Sequence, residues 1–169
     1  PSGPLFVVAN LPYSTGTAIL TRLLERPEKF PRIVVMLQRE VAQRLVAEPG
    51  SRAYGSLSIF TQMQAAVQMG FLVPPEAFRP PPRVDSAVVR LDLSVEPRFL
   101  CADAQKFRRL VRSAFAQRRK TLRNSLGTVY GKEVALAAMA RAGIDPVRRA
   151  ETVSIPEFCA LEAAFGQDA

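Results

Sequence analysis

Asn10, Leu11, Pro12 and Tyr13 follow directly on the apolar run Leu5-Phe6-Val7-Val8-Ala9. An amide side chain, main-chain carbonyls and an aromatic ring thus gather where a buried strand is expected to end, and ligands of open α/β sheets bind outside the carboxyl ends of the strands. The set suits an amino-substituted planar base. The amide oxygen and a carbonyl can accept hydrogen bonds from an exocyclic NH2 while the ring stacks on the base. Taken alone, the tetrapeptide fits an ordinary proline-containing turn equally well. A second aromatic, Phe78, stands just before Pro80-Pro81-Pro82; by itself it reads as a core anchor for a proline-rich loop.

A different chemistry is written further along. The net charge of +8 is uneven: residues 1–97 hold ten Lys and Arg against eight Asp and Glu, residues 98–150 hold thirteen against three, and the tail contributes −4. Between Lys106 and Arg123 there are eight basic residues and no acid. A block of that density favours polyanions, with RNA or DNA the natural candidate, although a solvated basic face would look the same.

Composition removes several alternatives. With no histidine in the chain, no Ser-His or Cys-His arrangement exists, and any chemistry must proceed without a histidine base. Cys101 and Cys159 are the only cysteines and form no CxxC, so neither a metal site nor a structural disulfide is expected, and the compartment reads as reducing and cytoplasmic. No apolar stretch reaches the roughly 18 residues of a membrane span.

The elements that must position these residues change character along the chain. Strand and helix signals alternate in the first part: strands at Leu5–Ala9 and Ile33–Leu37, a helix opening at Ser14 or Thr15 and running to about Leu24, another over Arg39–Ala47, and a third after Tyr54-Gly55-Ser56. Val67–Val73 and Ala87–Leu93 read as two late strands around the proline-rich segment, an antiparallel pair at the edge of a mostly parallel sheet. After Glu96-Pro97 the signals are wholly helical. Phe107, Leu110, Val111, Ala114 and Phe115 form an apolar stripe, and further helices begin near Leu122 and Val134, the latter stopped by Gly143. Ser154-Ile155-Pro156-Glu157 is a capping box opening the last helix. The expected domains are 1–97, α/β, and 98–169, all-α. None of the nine glycines forms a GxG, so the glycine turn of a nucleotide-like cofactor is absent. The start at Pro1-Ser2-Gly3, running straight into a strand, reads as the second part of an α/β domain.

In this combination the chain resembles the KsgA family of ribosomal RNA adenine dimethyltransferases along nearly its whole length. Asn10-Leu11-Pro12-Tyr13 is similar to the family's target-base motif. Leu37-Gln38-Arg39-Glu40-Val41-Ala42-Gln43-Arg44-Leu45 and Tyr54-Gly55-Ser56-Leu57-Ser58 resemble its middle blocks, and residues 78–88, from Phe78 through Arg83-Val84-Asp85-Ser86, its loop between the last two strands. Residues 115–126, around Arg118-Arg119-Lys120, resemble the basic block of its helical domain, and Arg149-Ala150-Glu151 its C-terminal part. Six such blocks in order are specific where each alone is weak.

The resemblance implies the C-terminal part of a Rossmann-like class I methyltransferase sheet, mostly parallel with an antiparallel last strand, followed by a small all-α domain. It implies S-adenosylmethionine-dependent dimethylation of N6 on two adjacent adenosines near the 3′ end of small-subunit (16S) ribosomal RNA, with the small ribosomal subunit as partner, no metal, no membrane, and a monomer at full length. It places Asn10, Leu11, Pro12 and Tyr13 in catalysis, Asn10 also beside the cofactor's methionine end, and Tyr13 with Phe78 around the extruded base. Arg118, Arg119, Lys120 and Arg123 would hold RNA phosphates, supported by Arg108, Arg109, Arg112 and Lys106. The family's glycine-rich cofactor loop is not in the chain, so the chain alone is expected to be inactive. Competing expectations are an Erm-type large-subunit RNA methyltransferase and a non-catalytic RNA-binding or assembly factor.

Overall fold

The computed structural model describes residues 3–96 and 98–166; the expected domain boundary at Pro97, the opening Pro1-Ser2 and the last three residues lie outside them. The chain divides into two compact units, Pro1–Ala47 with Phe60–Arg98, and Glu48–Ile59 with Phe99–Ala169.

The first unit is α/β. Its strands are β1 (Phe6–Asn10), β2 (Arg32–Gln38), β3 (Ala65–Val73) and β4 (Ser86–Leu93), and its helices are α1 (Gly16–Leu24) and α2 (Arg39–Val46). The sheet order is β1-β2-β4-β3. β1 and β2 run parallel, with Phe6 opposite Arg32 and Asn10 opposite Met36. β4 runs antiparallel to both neighbours, so that Ser86 faces Gln38 of β2 and Val73 of β3. The late strands are antiparallel as expected, but β4 is interior and β3 alone forms the edge. Ala87, Val89 and Leu91 explain this: all are fully buried, as a strand with partners on both sides requires.

Register gives the unit its polarity. The carboxyl ends of β1, β2 and β3 and the amino end of β4 share one end of the sheet, and everything expected to do chemistry emerges there. Ile33, Val35 and Leu37 of β2 join the β4 residues in the core, with Leu20 and Leu24 from α1 and Ala42 and Leu45 from α2. β1 stands at the other end of the described strand order, with Phe6 and Val8 exposed.

The second unit packs α4 (Ala104–Phe115), α5 (Leu122–Tyr130), α6 (Lys132–Arg141) and α7 (Ile155–Phe165). The expected stripe on α4 is buried at Phe107, Leu110, Val111 and Ala114. Asp103 caps that helix by accepting from the Gln105 and Lys106 amides at 2.8 and 3.0 Å. Gly143, at φ +67°, follows α6 in a conformation that L side chains avoid. The capping box on α7 is present, Glu157 accepting from the Ser154 amide at 2.7 Å.

Residues 48–59 lie in the expected first domain by sequence but cluster with these helices. The Tyr54 ring is fully buried and meets Phe115 edge-on at 6.2 Å, while the Gly50 amide donates to the Glu151 carbonyl at 2.7 Å. Burial, and then the nearby Glu157 carboxylate, push the Tyr54 phenol far above its ordinary range. The division between the units falls inside α3 (Ser56–Gln64).

Candidate functional site

Asn10 is the last residue of β1 and is exposed, with no side-chain partner among the described residues. The chain then turns sharply. The Leu11 amide donates to the Met36 carbonyl at 3.2 Å, extending the pairing by one bond, and the Leu11 side chain is buried. The Pro12 carbonyl is taken up by the start of α1, accepting from the Thr15 amide at 3.2 Å and the Gly16 amide at 2.7 Å. The Leu11 carbonyl accepts no hydrogen bond among the described residues. Of the two carbonyls that sequence leaves open, the structure thus leaves Leu11 the free acceptor.

Gly16 makes this turn feasible. A Cβ there would lie 3.0 Å from Leu37 Cδ2 and 3.1 Å from Leu11 Cβ, so any side chain would crowd both leucines where the helix begins against the strand ends. Thr15 precedes the helix but makes no side-chain cap; the Pro12 carbonyl serves the first turn instead.

Tyr13 is held by a residue that sequence reasoning did not single out. Its hydroxyl is 2.5 Å from Ser86 Oγ, and Ser86 is fully buried at the start of β4. The ring itself is 37% exposed, tethered at its tip and open along part of its body. Only the family-like Asp85-Ser86 pair in the sequence hinted at this contact, since the two residues stand 73 positions apart. Phe78 lies in the loop that leaves β3 and enters β4, at the same end of the sheet. It is half-buried, and its amide donates to the Pro75 carbonyl at 3.1 Å. No ring pair links Tyr13 to Phe78 among the described residues.

Beside these residues opens a cleft of about 530 Å³ lined by Gln38, Arg39, Glu40, Gln43, Arg83 and Asp85. Arg39 and Asp85 are joined twice: the Arg39 amide donates to the Asp85 carbonyl at 2.9 Å, and the guanidinium to its carboxylate at 3.0 Å. Among the described residues no group of three or more His, Cys, Asp or Glu could hold a metal ion, and no helix is long and apolar enough to cross a membrane.

The basic residues of the second unit divide by environment. Arg108, Arg119, Lys120 and Arg123 are exposed and pair with nothing among the described residues, while Arg112 is exposed on α4. Arg109 lies over the Tyr130 ring at 5.5 Å. Arg118 donates to the Arg52 and Tyr54 carbonyls at 3.1 and 3.3 Å, which ties the 48–59 segment to the helices. Arg148, outside the expected set, bonds Glu157 at 2.5 and 3.2 Å. That guanidinium, ahead of the Ser154 hydrogen bonds, holds the Glu157 carboxyl down to about 2.

Comparison with known proteins gives the family and the fold. Residues 1–167 match the model of the family described as ribosomal RNA adenine dimethylase. A protein named ribosomal RNA small subunit methyltransferase A from Dinoroseobacter shibae is 51% identical over 164 residues, covering 95% of this chain and 57% of that protein. One of the same name from Syntrophotalea carbinolica is 48% identical over 156 residues, covering 92% and 59%. The chain thus spans under three fifths of the length of these relatives. Among solved structures, a dimethyladenosine transferase from Plasmodium falciparum superposes with a TM-score of 0.79 at 22% identity, covering 99% of this chain and 69% of that one. The 23S rRNA methyltransferase ErmE gives 0.73 at 24%, covering 99% and 67%. At such identities the likeness concerns the fold, which is that of a Rossmann-like methyltransferase.

Proposed function

We infer, because this chain belongs to the ribosomal RNA adenine dimethylase family, that its protein converts two adjacent adenosines near the 3′ end of small-subunit ribosomal RNA to N6,N6-dimethyladenosine. The observation that carries the reading is the pair of acceptors at the end of β1: the exposed Asn10 amide, and the Leu11 carbonyl left free because α1 occupies that of Pro12.

The amino nitrogen of adenine is a poor nucleophile because its lone pair is delocalised into the ring. Two acceptors that each take one of its N–H bonds hold the nitrogen nearer to tetrahedral geometry and direct the lone pair away from the ring. Orientation and stabilisation of the developing positive charge then supply most of the rate. The alkylated nitrogen is acidic and loses its proton to water, so no histidine is needed. Tyr13, tethered to Ser86, and Phe78 from the facing loop stack on the extruded base, each stack worth roughly 1–3 kcal/mol.

S-adenosylmethionine is the expected methyl donor and supplies, when bound, an electrophilic methyl on a sulfonium. The unpartnered Asn10 amide at a strand's carboxyl end suits a place beside it. The first unit, without residues 48–59, serves as the base-binding part of the methyltransferase domain. Residues 98–169 grip RNA phosphates through Arg119, Lys120 and Arg123, with Arg108, Arg109, Arg112 and Arg118 in support; such contacts position the RNA without reading its sequence. The partner is the small ribosomal subunit, met in the cytoplasm by a monomeric enzyme.

The test is transfer of labelled methyl from S-adenosylmethionine to unmethylated small subunits, by the chain extended to the length of its relatives. Dimethyladenosine forms on small but not large subunits, and Asn10→Ala lowers transfer about a hundredfold or more while RNA binding persists. Unchanged transfer by Asn10→Ala, or transfer confined to large subunits, overturns the assignment.

A further inference from the structure

The reaction as proposed leaves the 530 Å³ cleft beside the base site unused. Its place is fixed by register. Gln38 lines the cleft and pairs across the sheet with Ser86, the residue that holds Tyr13. Asp85, immediately before Ser86, lines it too. The Gln38 and Asp85-Ser86 segments are therefore a wall common to the cleft and to the ring on which the target base stacks.

The lining has a distinctive division of labour. Arg39 and Asp85 neutralise each other, which leaves Gln38, Glu40, Gln43 and Arg83 with side chains that make no hydrogen bond or ion pair among the described residues. Two amides, one carboxylate and one guanidinium face a space within the size range of small-molecule sites. Glutamine amides match the paired donor and acceptor on an adenine edge, a carboxylate accepts from an exocyclic amine, and a guanidinium suits phosphate. Pro75 and Val84 add an apolar wall for a ring face.

We propose, building on the function inferred above, that this cleft takes the nucleotide next to the target adenosine on the same RNA strand and is made for an adenine there. Gln38, Gln43 and Glu40 read its base edge, and Arg83 holds its phosphate. The requirement for adenosines in a pair then comes from the α/β unit itself, while the basic helices supply the sequence-blind grip on the RNA.

The experiment compares methyl transfer to unmethylated small subunits with transfer to small subunits in which one adenosine of the pair is replaced by uridine, using the chain extended to the length of its relatives. The unaltered protein prefers the adenosine neighbour by about tenfold in kcat/KM, the size of one good base contact. The double variant Glu40→Ala with Gln43→Ala, both exposed on α2, brings that preference down severalfold, toward one. A preference that survives in the double variant, or is missing from the unaltered protein, overturns the proposal while leaving the methyltransferase reading intact. Failure to methylate any subunit overturns both. Arg83→Ala, outside α2, gives the second check: loss of a phosphate contact weakens both substrates by the same factor and keeps the preference. A loss confined to one substrate, or no loss, counts against the cleft.

Discussion

Tyr13→Phe and Ser86→Ala each delete one hydroxyl from the same hydrogen bond, yet the structure makes them unequal. The two oxygens lie 2.5 Å apart. Ser86 is fully buried, whereas Tyr13 is 37% exposed. Removing the serine hydroxyl leaves a phenol that can turn to water, so the cost is the net worth of one hydrogen bond, about 1 kcal/mol. Removing the phenol hydroxyl strands the serine oxygen inside the sheet, adding a desolvation penalty and raising the cost to about 2–3 kcal/mol. The double variant has no orphan and destabilises by only about 1 kcal/mol, giving a coupling of roughly 2–3 kcal/mol in the cycle. Denaturant unfolding of all four proteins, with unchanged m-values, measures this directly. Methyl transfer adds a second readout. Both single variants free the ring tip and raise KM for RNA by a similar factor, because the stacking face is the same in Tyr and Phe. Equal destabilisation by the two single variants, summing in the double, would refute the argument that Ser86 tethers Tyr13.

Two further predictions follow from charged groups of the second unit. Glu157 sits at about 2 against an ordinary value of 4.5; a depressed folded value means stability that is complete above the ordinary value and fades as pH falls toward 2. After discounting for solvent screening the loss is about 1–2 kcal/mol. Urea midpoints measured down that pH range should show it, and Arg148→Met should flatten the slope; an unchanged slope in Arg148→Met counts against the pair. Arg119→Ala, Lys120→Ala and Arg123→Ala should each reduce the salt dependence of RNA binding by about one phosphate contact without lowering the melting temperature. Arg118→Ala, whose guanidinium holds the 52–54 backbone, should instead cost about 1 kcal/mol of stability. Thermal melts beside salt titrations separate the two behaviours, and an Arg118 variant as stable as the others counts against the tether.

Much of the architecture is legible in sequence because local signals and tertiary demands agree. The Phe107-Leu110-Val111-Ala114 stripe, the Ser154 box and the Gly143 stop are each written in a few neighbouring residues and appear where periodicity puts them. What sequence conceals is pairing between distant residues. Nothing local in Ala87–Leu93 says that it enters between β2 and β3. Tyr54 sits in a segment flanked by α/β signals, and its assignment to the helical unit depends on Phe115, a contact across some sixty positions that no window of sequence contains.

The candidate site shows the same boundary at the scale of single atoms. Asn10-Leu11-Pro12-Tyr13 announces acceptors and a ring, because those are side-chain or universal backbone properties. Which carbonyl remains free is decided by where α1 begins, and that depends on Gly16, whose missing side chain allows contact with Leu37 and Leu11. With the helix starting there, the Thr15 and Gly16 amides take the Pro12 carbonyl, while Leu11 is buried and its carbonyl accepts no hydrogen bond among the described residues. An aligned acceptor of this kind requires no acidic or basic residue and no proton to be stored. On the proposed reading, a chain without histidine orients an amino group for alkylation through backbone acceptors, and the constraint on the chemistry falls on the turn geometry of residues 10–16 more than on the identity of residue 11.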